Sequence, residues 1–244
     1  MARSNAMLHA KRVISFADGQ PDRPVEEVVS RSWRRSLEDF GLDPTGQRLP
    51  DVLEVVALRE RQQALGEHLE LAKQEMENLY QQIAGSGFVI LLTDPVGTVL
   101  ASVADPSMQR DFERAGLWLG SVWGEASEGT NGIGTCVSEL RPINIHREEH
   151  FRSRHIRLSC SAAPILDPNG QLLAVLDASS ANSLDTKASQ AHTLALLRMS
   201  ATVMENCYFL RAFSDQWVVR FHSRPEFVGL LNEGMLAIDQ AGRI

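Results

Sequence analysis

The stretch SEGTNGIGTC, residues 127–136, places three glycines, two threonines and an asparagine within ten positions. Such a run can cradle a phosphate, form a catalytic turn, or let a chain pass close to something else. A phosphate-binding P-loop requires GxxxxGK[ST], with the lysine reaching the phosphates. Gly129, Gly132 and Gly134 have no lysine among them, so that pattern fails. The dinucleotide fingerprint fails too, because Gly132-Ile133-Gly134 continues to Val137 where the third glycine belongs. What remains is backbone freedom beside the small polar side chains of Thr130, Asn131 and Thr135. That combination suits a helix N-terminus, either approaching a small ligand or simply capping a helix at a tight turn.

Cys136 ends the stretch, Cys160 follows, and His146, His150 and His155 lie between them. A cysteine–histidine pair can form a thiolate nucleophile, and the same five residues can ligate iron, copper or zinc. No orienting partner or short ligand spacing supports either reading. The ordinary expectation is buried, inert cysteines and solvated loop histidines. Asp177, in VLDASS, falls in an apolar strand, where a carboxylate must find donors or a ligand. Trp118 and Trp123 flank the glycine run and suit either a pocket wall or core filling.

Around this centre the chain alternates two kinds of pattern. GFVILLTDPVGTVLAS and RLSCSAAPILDPNGQLLAVLDASS each read as strand, Asp-Pro-x-Gly turn, strand, and PINIH as a further short strand. VEEVVSRSWRRSLEDFG reads as a short helix ending at Gly41. From residue 51 to 83, Val55, Gln62, Leu69, Met76 and Ile83 form one heptad series. Leu58, Leu65, Ala72 and Leu79 form the other, so eight of the nine positions are apolar. A 3.5-residue seam of that length fits a helix lying on its own domain or a dimer-forming or bundle helix, the latter being the preferred expectation. Residues 186–213 carry a similar face through Leu194, Leu197, Ala201, Met204 and Tyr208. An α+β fold follows: an antiparallel sheet flanked by long helices. GMLAIDQAGRI, 234–244, repeats the pattern of the first hairpin as far as its turn, which predicts the opening of a second domain in a longer protein.

The 244 residues are 43% hydrophobic and 23% charged, with a net charge of -7, which suits a globular core and disfavours a broad nucleic-acid face. Three cysteines without a CxxC pair argue against a disulfide framework or zinc ribbon. The amino terminus lacks a signal-peptide core, and runs such as FVILL and LLAVL are too short for a membrane span, so a cytoplasmic location is expected.

SWRRSLEDFGLDP, WGEASEGTNGIGTC, HREEHF, LSCSAAPILDPNGQLLAVLDASS and RFHSRPEFVGLLNEGMLAIDQAGRI together resemble the amino-terminal half of sigma-54-dependent activators of the acetoin-catabolism-regulator group. The resemblance spans residues 25–244. It implies a helical segment over 25–83, a GAF sensor domain over 84–182, signalling and linker helices over 183–228, and the start of a PAS-like domain over 229–244, while residues 1–24, which mix charge, glycine and proline, are expected to be a flexible leader. It further implies an effector pocket at or near Trp123, Thr130, Asn131, Thr135, Cys136, Cys160 and Asp177, for a small alcohol, diol or ketol. No cofactor or metal, no enzymatic turnover and no membrane is implied. The partners implied are a second copy through helices 51–83 and 186–213, and DNA and sigma-54 polymerase only through later domains, whose motifs this chain lacks. The alternatives are a GAF module that binds a partner protein, and a metal or redox sensor built on the cysteines and loop histidines.

Overall fold

The computed structural model describes residues 2–17, 25–181 and 185–244. In chain order these form α1 (Ala2–Ala17), α2 (Glu27–Arg34, continued by a wider turn to Asp39), α3 (Val55–Leu65), α4 (Glu67–Gln82), β1 (Phe88–Thr93), β2 (Val99–Ala104), α5 (Gln109–Ala115), α6 (Glu125–Glu128), α7 (Gly132–Glu139), β3 (Ile143–His146), β4 (Ser159–Leu166), β5 (Leu172–Ser180), α8 (Lys187–Ala212), β6 (Trp217–Phe221) and β7 (Gly234–Ile238). Five strands make one antiparallel sheet in the order β2-β1-β5-β4-β3, and β6 pairs with β7 in a separate ribbon. The α+β reading holds.

The turns explain why the hairpins were visible in sequence. Asp94 Oδ1 accepts the N–H groups of Val96 and Thr98, both at 2.9 Å, and Asp167 Oδ1 accepts those of Asn169 and Gln171, both at 2.8 Å. Asp239 does the same for Ala241 and Arg243 in the last turn, so the repeated motif is a repeated piece of local physics.

Both faces of the sheet are covered, which is why FVILLT is continuously apolar rather than alternating. On one face Ile90, Leu92, Ala163 and Leu176 pack against Leu69, Ala72, Met76 and Leu79 of α4 and against Leu197, Ala201, Met204 and Tyr208 of α8. This corrects the reading of 51–83 as one continuous helix. The helix breaks at Gly66, whose φ of 55° and ψ of −128° no side-chain-bearing residue adopts easily. The seam from Leu65 to Ile83 is consumed by the chain's own sheet and α8. The single polar position, Gln62, donates its side-chain amide to the Leu100 carbonyl at 2.8 Å. Only the amino-terminal end of the series, Val55, stands out in solvent, at 63% exposure.

Two further expectations are corrected. Within the 1–24 leader, residues 2–17 are helical. Val13 and Phe16 share a face that meets Trp33, Ala10 is buried, and Val13 joins a core with Val29, Ile143 and Phe151, so apolar spacing wins over the mixed composition. Residues 18–24 lie outside the described residues. Within the stretch 183–228, expected to be helical, 217–221 is a strand, and it supplies β7 with the hydrogen-bonded neighbour that the sequence did not reveal. Among the described residues no helix is long and apolar enough to cross a membrane.

Candidate functional site

The second face of the sheet carries the polar chemistry. Period-2 alternation sends Val89 and Leu91 of β1, Cys160 and Ala162 of β4, and Asp177 and Ser179 of β5 to this side. The register sets Leu91 and Ala162 beside Asp177, and Val89 and Cys160 beside Ser179. Above them lie α5, α6 and α7 with Phe112, Leu117, Trp123, Ile133 and Leu158.

Asp177 is completely buried. Its Oδ2 lies 2.6 Å from the Ser179 hydroxyl, while its Oδ1 has no hydrogen-bond partner. Burial pushes this carboxyl up to about 7, partly countered by the Ser179 hydrogen bond. The Ser179 hydroxyl also lies 3.0 Å from Cys160 Sγ, and its single proton goes to the stronger acceptor, the carboxylate. Cys160 Sγ is 3.3 Å from His150 Nε2, and His150 Nδ1 is 2.9 Å from the Arg147 carbonyl. A carbonyl only accepts, so the Nδ1 carries the proton and donates to it. Nε2 is thereby left to accept from the thiol. Burial pulls His150 down to about 4 and pushes the Cys160 thiol up, so both stay neutral near pH 7.

The chain of buried polar groups continues outward. His155 packs edge-on to His150 at 6.3 Å between centroids and lies 4.8 Å from the Trp123 ring. Neither of its ring nitrogens has a hydrogen-bond partner. Its Nε2 is 3.7 Å from Glu128 Oε2, and burial raises that carboxyl to about 7, partly countered by Arg152. Of the three histidines expected in solvent, His150 and His155 are therefore core residues at 0% and 1% exposure, while His146 is half-buried in β3 with Nδ1 2.8 Å from Gln190 Oε1. Among the described residues no group of three or more His, Cys, Asp or Glu is arranged to hold a metal.

The other expected site residues serve a different purpose. Asn131 caps α7, accepting the Gly134 N–H at 2.8 Å and donating to the Trp123 and Gly129 carbonyls at 3.0 and 2.8 Å. Every polar atom of its side chain is thus committed. Thr130 Oγ1 lies 2.6 Å from Ser32 Oγ, and Thr135 Oγ1 lies 3.2 Å from both Ser32 Oγ and Glu125 Oε1. Cys136 Sγ donates to the Arg141 carbonyl at 3.4 Å, in a small core with Ala162 and Val175. Trp123 is buried with Nε1 donating to the Gly116 carbonyl and Ser121 Oγ, both at 3.1 Å. So Cys160, Asp177 and Trp123 join the buried polar chain, while Thr130, Asn131, Thr135 and Cys136 hold the turn in place. The glycine run answers its own question at Gly132. A Cβ built there would fall 2.6 Å from Cys160 Cβ and 2.7 Å from Asp177 Oδ1.

Sequence reasoning missed Ser179 and the inward turn of His150 and His155. Ser179 could have been found, since it follows Asp177 by one period of the strand. An open cleft of about 380 Å³ adjoins this layer at α5, lined by Val89, Ser102, Phe112, Leu117 and Trp118. None of the seven expected residues lines it, but Val89, Phe112 and Leu117 belong both to its wall and to the core above Asp177.

The sequence profile of the GAF domain family matches residues 67–208, beginning at α4 and extending through most of α8 rather than the expected 84–182. The acetoin catabolism regulatory protein of Cupriavidus necator is 36% identical over 219 residues, covering 90% of this chain and 33% of that protein. The signal-transduction and transcriptional-control protein of Clostridium beijerinckii is 28% identical over 221 residues, covering 89% of this chain and 34% of that protein. The chain thus spans about a third of the length of these curated relatives. Among solved structures, the E. coli DhaR(N)–DhaL complex superposes with a TM-score of 0.68 at 17% identity, over 77% of this chain and 64% of that chain, a likeness of fold. The chain belongs to the GAF domain family, and its relatives are regulators of transcription.

Proposed function

We propose that this GAF domain is the sensing part of a cytoplasmic sigma-54-dependent activator, and that it binds a small neutral polar effector above Asp177. The observation that carries this reading is the unpartnered Oδ1 of a completely buried aspartate. An orphaned buried acceptor costs stability, and a ligand hydroxyl that donates to it would recover that cost. The neighbouring groups extend the match: the Ser179 hydroxyl, the Cys160 thiol, and the unpartnered ring of His155 beside Trp123. A negatively charged ligand would meet the Asp177 carboxyl with no cation bonded to it, whereas an alcohol, diol or ketol offers the donor that is missing. Entry is from the α5 cleft, by displacement of Phe112 and Leu117. Turnover is no part of the reading, because burial keeps both the Cys136 and Cys160 thiols protonated.

Effector binding closes the layer over the sheet and shifts the packing of α4 and α8, provided the ligand prefers one arrangement. Pairing with a second copy would use helix faces outside the core that α4 and α8 already share. DNA and polymerase contacts would belong to other domains of a longer protein. Thermal-shift measurement against alcohols, diols, ketols and aldehydes tests the proposal. Ligand at a hundredfold excess over Kd adds about 2.7 kcal/mol, or about 5–10 °C in Tm for a chain of this size. No shift with any member of the panel would refute it.

A second reading is supported by the tight packing over Asp177, where none of the seven expected residues lines the α5 cleft. In this reading the input is a protein, as in the complex between DhaR(N) and DhaL. Retention of a metabolic enzyme by the immobilised domain, with no small-molecule shift, would favour it.

A further inference from the structure

Glu125 lies beside the glycine turn, is 4% exposed, and receives five hydrogen bonds. Its Oε2 accepts from Arg35 Nε at 2.7 Å and Ser138 Oγ at 2.9 Å. Its Oε1 accepts from Arg35 Nη2 at 3.0 Å, Thr135 Oγ1 at 3.2 Å, and Ser32 Oγ. The remaining Arg35 nitrogen, Nη1, binds Glu139 Oε1 at 2.8 Å, and Arg31 Nη2 binds Glu139 Oε2 at 2.5 Å. Two arginines of α2 thus face two glutamates from α6 and α7, and Ser32 reaches between them to Thr130. This is far more than the turn needs for its own closure, since Asn131 already caps α7.

The arrangement has a direction. Thr130 and Thr135 flank Asn131, and the Asn131 N–H donates to Thr135 Oγ1 at 3.2 Å. The next residue is Gly132, which presses on Asp177 Oδ1 and Cys160. The path therefore runs from Arg35 through Glu125, Thr135 and Asn131 to Gly132, whose backbone lies too close over the unpartnered oxygen to admit a Cβ. The geometry assigns Glu125 as the positioning residue of the sensor site: gripped by Ser32 and Arg35 of α2, it sets the height of Gly132 above Asp177 and hence the space a ligand can occupy. Its own oxygens are fully occupied, so it touches no ligand. The inference rests on the reading of Asp177 as the effector anchor, and it makes α2 part of the site.

Amide hydrogen exchange on the ligand-free chain tests it directly. Ser32→Ala and Arg35→Lys should each speed exchange at Asn131, Gly134 and Thr135 at least tenfold. Glu27→Gln, on the exposed face of α2, should leave those amides unchanged. If only the α2 amides from Val29 to Arg35 accelerate, α2 is merely packed on the domain and the assignment falls. Uniform acceleration that includes Leu91 and Leu176 also overturns it, because Glu125 would then serve global stability alone. In a second arm, acetoin is titrated into the parent and Arg35→Lys, and a rise of at least tenfold in Kd is expected. An unchanged Kd contradicts the assignment. No acetoin binding by the parent counts against the effector reading instead, and the exchange arm still decides the role of Glu125.

Discussion

Gly132 sits so closely over Asp177 that a Cβ at this position would lie 2.7 Å from Oδ1 and 2.6 Å from Cys160 Cβ. Gly132→Ala must therefore push α7 away from the sheet or force β4 and β5 to give. Overpacking of this kind costs about 1–3 kcal/mol, a fall of about 2–12 °C in Tm for a chain of this size. Differential scanning calorimetry measures it. The same variant should lose any effector-induced shift, since the backbone over the proposed anchor has moved.

Asp177→Asn isolates the pH dependence of the buried carboxyl. Between the ordinary carboxylate value and about 7, the folded chain holds a proton on Asp177 that the unfolded chain has released. Stability from this group is therefore full in acid and falls as pH rises through that window. His150, pulled down to about 4, works in the opposite sense: its contribution is full above 6.5 and is lost as pH falls towards 4. The amide variant should melt higher than the parent at pH 8, by an amount on the order of 4 kcal/mol at most. The gap should narrow through pH 5 and close near pH 4. A constant offset across pH would mean that Asp177 is not the titrating group.

Thiol labelling discriminates among the three cysteines. Cys136 and Cys160 are buried with their thiols pushed up by burial and by the Asp177 charge, whereas Cys207 is half-buried. An aromatic disulfide reagent at pH 8 should label one thiol rapidly and the other two only after denaturation. Rapid release of all three would show that the layer above the sheet opens readily.

Gly66→Ala tests the break in the apolar seam. At φ 55° and ψ −128° an added Cβ is strained, and the substitution should destabilise the fold by about 1 kcal/mol or more. A continuous outward-pairing helix would give the reverse result, because alanine favours a helix interior over glycine by about 1 kcal/mol. Urea denaturation at two protein concentrations separates the cases.

What could be read from sequence was what depends on neighbours. The hairpins announced themselves through apolar runs joined by aspartates that close their own turns, and α8 through its 3.5-residue face. Asp177 was legible as an anomaly, a carboxylate inside an apolar strand, though its unpartnered oxygen was not. The seam of α4 was legible as a surface to be buried, but periodicity cannot say whose surface covers it. Gly66, an isolated glycine in a helical pattern, was the one local warning of the break. The inward turn of His150 and His155 depends on a charged loop folding back onto Trp123, which no spacing records. Ser32 and Arg35 meet Glu125 across 93 and 90 residues of chain, a distance at which only the folded core specifies partners.

The five-donor carboxylate also separates the inherited boundary of the domain from its mechanical one. Trimming the chain to Glu67, where the family profile begins, would remove Ser32 and both Arg35 contacts, leave Glu125 two hydroxyls, and open the face that α2 covers to water. Each hydrogen bond to a charged group lost this way is worth about 1.5–3 kcal/mol before water replaces it, a large part of what a domain has to spare. The shortest piece worth expressing therefore starts ahead of α2, well upstream of the residue at which the family profile begins.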